Sequence, residues 1–147
     1  MAETMTVSEK LDEFKDVFDL FDNSKDKYIQ LIDMGRKSPE LFPEEKNDIN
    51  KIYGCTSQAW VVIGQYENGT YFFRTDSDAQ IVKGLLSIIS NICDGESLDA
   101  IHSIDGSEIL NVVGLNGAIS SQRINGFSLA MNKIKKDIVC LEMKKSD

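Results

Sequence analysis

The chain has 147 residues, 41% of them hydrophobic and 27% charged, with a formal net charge of −8. That length fits one domain, and the composition is globular rather than disordered. The acidic balance argues against sequence-independent nucleic-acid binding and against docking on anionic lipid, since both rest on clustered cations; no stretch approaches the ~20 apolar residues of a membrane span.

Met1 to Lys10 is polar and charged. It has neither the apolar core of a signal peptide nor the Arg-rich, acid-poor character of a transit peptide. The chain therefore reads as cytoplasmic, or as the mature form of an organellar protein. One domain over residues 1–147 is expected, with flexible ends at 1–7 and 142–147. Thr6 and Glu9 have capping-box spacing, and Leu11, Phe14, Phe18 and Phe21 follow as one apolar stripe. Asp22-Asn23-Ser24 breaks that helix. Tyr28, Leu31 and Ile32 form a second stripe, with Gly35 as its terminator. Residues 36–50 are polar and hold both prolines, Pro39 and Pro43, so an extended connection is expected. Residues 51–54 are placed as a short third strand beside the two that follow.

Those two strands are Trp60-Val61-Val62-Ile63 and Tyr71-Phe72-Phe73, joined through Glu67-Asn68-Gly69-Thr70. Asn68-Gly69 as a two-residue turn predicts Tyr66 opposite Tyr71 and Ile63 opposite Arg74. Asp76-Ser77-Asp78 is expected to cap a helix over Ala79–Cys93. Its apolar residues cover most of the circumference, which marks a central helix. Gly95 ends it, short helical pieces are expected at 97–103 and 106–113, and Ser120-Ser121 starts a long last helix. Its stripe is Ile124, Phe127, Met131, Ile134, Ile138 and Leu141. Helices, a hairpin, then more helices predict an α+β domain.

The chemistry-bearing residues are few. The three cysteines, Cys55, Cys93 and Cys140, are odd in number and widely spaced, unlike a disulfide framework or a zinc knuckle. Gly54-Cys55 lies between a turn-like segment and a strand. A glycine there can turn the thiol outward as a nucleophile; the alternative is a small buried hydrophobe. Cys93 closes an Ile-rich run and is read as core. Cys140 lies off the last helix's stripe and is expected to be partly exposed. Arg123 sits in the first turn of that helix, where a cation opposes the dipole. Either an internal carboxylate or an outside partner would offset this. Asp76 and Asp78 read as caps; Asp76 near Cys55 would instead keep the thiol protonated until docking. His102 is the only histidine. It sits in a short helical piece without an orienting motif, so a cysteine hydrolase is disfavoured.

Several segments, in order and at similar spacing, resemble the SufE-type sulfur-acceptor family. They are Leu31-Ile32-Asp33-Met34-Gly35; Gly54-Cys55 with Ser57-Gln58 and Trp60; Asp76 through Leu85; Gly114-Leu115; and Ser121-Gln122-Arg123 with Gly126. Thr56 stands where the family usually has glutamine. The resemblance spans about residues 8 to 138. It implies a small α+β fold, a three-stranded antiparallel sheet with helices around it. It also implies that Cys55 takes sulfur as a persulfide from a cysteine desulfurase, stimulating that enzyme, and passes it on toward an iron–sulfur scaffold complex. Arg123 and Asp76 would then contact the partner. No cofactor is expected on this chain, because pyridoxal phosphate belongs to the desulfurase. An iron–sulfur scaffold is the alternative reading, disfavoured because only Cys55 has a loop position.

Overall fold

The computed structural model describes residues 5–145. The expected flexible ends fall partly on residues 1–4 and 146–147, which lie outside the described residues. The elements are α1 (Val7–Asp19), α2 (Ser24–Lys37), β1 (Ala59–Gln65), β2 (Tyr71–Ser77), α3 (Gln80–Cys93), α4 (Leu98–His102), α5 (Gly106–Val112) and α6 (Ser121–Lys145). Local chemistry starts the helices as the sequence suggests. The Thr6 hydroxyl accepts from the Glu9 amide while the Glu9 carboxylate accepts from the Thr6 amide. Asn23 caps α2 by accepting from the Asp26 amide.

α3 is the centre of the fold. Ile88, Ile89, Ile92 and Cys93 are each 0% exposed, and α1, α2, α6 and β2 all pack on this helix. The α2–α3 crossing depends on two glycines. Gly35 does not end α2, as its sequence position suggests, but lies inside it. A Cβ on Gly35 would stand 2.3 Å from the Gln80 carbonyl oxygen, and one on Gly84 would stand 2.0 Å from that of Leu31. The absent side chains let the two backbones touch. Gly84→Ala, which must push the helices apart, is expected to cost roughly 3 kcal/mol of stability, measurable by urea unfolding.

The sheet has two antiparallel strands among the described residues, not three. The strand expected at 51–54 reduces to one bridge, Lys51 opposite Trp60, flanked by Ile52 N–H donating to Ala59 O and Val61 N–H donating to Asn50 O. Gly54, at φ +90°, turns the chain away before a ladder can extend.

The hairpin register also differs by one residue. Gln65 pairs with Tyr71 and Ile63 with Phe73. A two-residue Asn-Gly turn of the expected kind needs positive φ at both positions. Among the described residues only glycines have positive φ, Gly69 at +91° among them. Asn68 therefore stays in the ordinary region, the Gly69 amide donates to Tyr66 O, and the Tyr66 amide donates to Thr70 O, so that residues 67–69 form a three-residue loop. The Asn68 carboxamide oxygen accepts from the Thr70 amide and hydroxyl.

α6 supplies the last wall of the core through Phe127, Met131, Ile134 and Ile138. Near its far end Glu142 accepts from the hydroxyl of buried Tyr71.

Candidate functional site

The turn at Gly54 carries Cys55 to the tip of the loop between the Lys51 bridge and β1. There the tip leans on the first turns of α6. The Cys55 thiol is half-buried and points toward the Gly126 carbonyl oxygen, 3.8 Å from Sγ. A small cavity of about 20 Å³ opens beside it, room for about one water-sized sphere. Val82, Leu85, Leu86 and Phe127 make its apolar floor; Ser57, Gln122 and Arg123 make its polar lip.

Arg123 is where the sequence reading drew attention, but its compensation differs from the internal carboxylate considered there. Its Nη1 donates to Ser57 Oγ at 3.0 Å, and no ion pair among the described residues includes it. Its charge acts on Cys55 instead. Burial pushes the Cys55 thiol up from its ordinary pKa, and the Arg123 guanidinium pulls it part of the way back. The free protein thus holds a mostly protonated thiol at neutral pH, with a cation beside it ready to stabilise the thiolate.

Removing that cation raises the thiol's pKa further. Alkylation of Cys55 by iodoacetamide should rise with pH in the wild type. In Arg123→Ala the rate profile should move to higher pH, making alkylation several-fold slower at about pH 7.5. A profile unmoved, or moved to lower pH, would contradict this electrostatic assignment.

Asp76 lies elsewhere than expected. It is not a helix cap: Ala79 precedes α3 and makes no side-chain cap. Nor is it the charge beside Cys55. It belongs to β2, is 2% exposed, and offers no surface to a docking protein in this conformation. Its carboxylate accepts from the Leu41 and Ser77 amides and pairs with Lys46 at 3.3 Å and with buried Lys83 at 3.6 Å. Burial alone would raise its pKa. The two amides and the two ammonium groups outweigh that and hold the carboxyl below the usual range. The network ties the 38–50 connection, which leads into the Cys55 loop, to the sheet and α3.

Asp78, likewise read as a cap, is a clamp on the loop's exit. Its carboxylate accepts from the Gln58 amide at 3.1 Å, while the Ser77 hydroxyl donates to Gln58 O at 2.6 Å. Sequence reasoning gave neither residue this role, because the contact joins a loop to the far end of a hairpin.

Cys93 is core, as expected, and burial pushes its pKa to about 12. Cys140 is exposed and lies roughly 21 Å along α6 from Gly126 at about 1.5 Å per residue, too far to resolve a species on Cys55. His102 is exposed at the end of α4 and does not line the cavity.

A family model described as "SufE: Fe-S metabolism associated domain" matches residues 12–138. An uncharacterized SufE-like protein of Rhizobium etli is 37% identical over 130 residues, covering 86% of this chain and 88% of its own. A second, from Rhizobium meliloti, is 35% identical over 86% of this chain and 93% of its own. The solution structure of a hypothetical protein from Thermus thermophilus shares the fold with a TM-score of 0.68 at 18% identity, covering 86% of this chain and 91% of that one.

Proposed function

This chain belongs to the SufE family, associated with iron–sulfur metabolism, and from that membership we propose that it is a sulfur acceptor that uses Cys55 as its carrier thiol. The partner is a cysteine desulfurase holding a persulfide on its own cysteine. The Cys55 thiolate attacks the outer sulfur of that persulfide. The partner's S–S bond breaks and its cysteine leaves as a thiolate, so Cys55 now carries the outer sulfur with no net oxidation. Removing sulfur frees the desulfurase for another turnover, which is how the chain stimulates it. A scaffold complex for cluster assembly is the proposed recipient. The chain needs no cofactor of its own for this step, and pyridoxal phosphate remains on the desulfurase.

One observation carries the reading: a half-buried thiol at a loop tip, beside a cavity sized for one small atom, with Arg123 at the lip. Two polar contacts hold the tip to α6, Arg123 to Ser57 and Cys55 to Gly126. Breaking them releases the thiol toward a partner; re-forming them shelters the cargo from reductant. Arg123, freed from Ser57, is then placed to meet the desulfurase. Asp76 acts through the segment it anchors, not by touching the partner. The placement of the cysteines favours a carrier over a scaffold, because Cys93 and Cys140 do not converge on Cys55.

Mass spectrometry after incubation with a desulfurase and cysteine should find one added sulfur atom, mapped to Cys55. Sulfur absent from the chain, or mapped elsewhere, would overturn the proposal.

A further inference from the structure

Gly126 sits in the interior of α6, where glycine is disfavoured relative to alanine, so its presence asks for a local reason. The α2–α3 glycines have one, since any Cβ there would collide with backbone. Gly126 differs. A Cβ built on it meets a single atom within 4 Å outside its own helix, the Cys55 Sγ, at 3.4 Å. That is the near edge of ordinary van der Waals contact, so alanine fits beside the reduced thiol with at most a shift of a few tenths of an ångström. What it removes is the gap between the helix and the sulfur.

We infer that Gly126 is a specificity-determining residue for the acceptor reaction: its missing side chain reserves space for the second sulfur atom on Cys55. The inference rests on the acceptor reading above. A persulfide extends about 2.05 Å beyond Sγ, and the cavity Gly126 lines has room for about one small sphere. With a methyl group in that gap, the outer sulfur must displace it or turn out into solvent. The thiol itself stays free to attack. The residue therefore acts on the loaded state and not on nucleophilicity.

The prediction separates this role from a packing role by sign. Gly126→Ala should melt at or above the wild-type temperature, because alanine favours the helix, and the alkylation rate of its reduced Cys55 gives the reference against which its loading is read. After loading with a desulfurase and cysteine, its persulfide should be lost to a small-thiol reductant about tenfold faster than that of the wild type, or accumulate to a correspondingly lower level. Equal loading and equal persulfide lifetime in the two proteins would overturn the inference while leaving the acceptor reading intact. So would a clearly lowered melting temperature, which would make Gly126 a requirement of the fold. A wild-type protein that takes up no sulfur on Cys55 would overturn the acceptor reading, and this inference with it.

Discussion

Cys55→Ser should reduce sulfur acceptance from a desulfurase to background while the melting temperature stays within about 2 °C of wild type. The two halves have separate causes. A serine hydroxyl is close to the thiol in shape, and the side chain is only half-buried, so packing changes little. The hydroxyl does not ionise near neutral pH and cannot hold a sulfane sulfur, so the transfer has no acceptor. Neither remaining thiol substitutes. Cys93 is 0% exposed, with its ionisation pushed to about 12. Cys140 is exposed but lies turns away along α6, outside the cavity that Arg123 and Gly126 line. Intact-mass measurement after loading, with peptide mapping, reads the transfer, and a thermal melt reads the fold. Sulfur transferred to Cys140 in the serine variant at the wild-type rate would move the site off the loop tip.

Asp76→Asn should cost about 3 kcal/mol of stability at neutral pH, or roughly 10 °C in melting temperature. The substitution keeps the shape and can still accept from the Leu41 amide. It removes the carboxylate charge facing Lys83, which is 4% exposed, and Lys46. A buried ammonium left without its counter-charge is costly, whereas replacing the whole pair with apolar groups is often tolerated. Changing Lys83 to methionine in the Asp76→Asn background should therefore recover part of the loss.

The pH dependence follows from the direction of the shift. The folded state holds the Asp76 carboxyl below its usual range, and the unfolded value is about 3.9. Its contribution is therefore present above the unfolded value and fades as pH falls through the folded pKa. The gap between wild type and Asp76→Asn should narrow below about pH 4. A gap independent of pH, measured by denaturant unfolding, would reassign the effect to shape. Hydrogen exchange should also quicken in residues 38–57, because Asp76 anchors that connection through Leu41 and Lys46.

Much of this was legible before the fold was known. The Thr6–Glu9 box, the Asn23 boundary, the broad apolar belt of α3 and the stripe of α6 are local patterns, and local patterns survive into the structure. The family followed from ordered short motifs, and Cys55 stood out because a glycine-preceded thiol sits just before a strand. The errors share one cause. Asp76 and Asp78 look like caps because their neighbours in sequence precede a helix. Their partners, Leu41, Lys46, Lys83 and Gln58, come mostly from segments distant in the chain. Gly35 looks like a terminator because the helix it must approach is invisible until α3 is in place. Asn68-Gly69 admits two loop lengths, and only strand pairing chooses between them.

The amino-acid order by itself determined the helices, the hairpin's existence, the acidic character and the candidate thiol before the first strand, because each depends on residues within a turn or two of one another or on simple totals. The tertiary structure alone decided that Arg123 and Gly126 meet Cys55, that the third strand shrinks to a bridge, and that Asp76 is an interior anchor. Those outcomes depend on which surfaces come together once α6 and the 38–57 segment fold over α3, and contacts between remote segments leave no periodic trace in the chain.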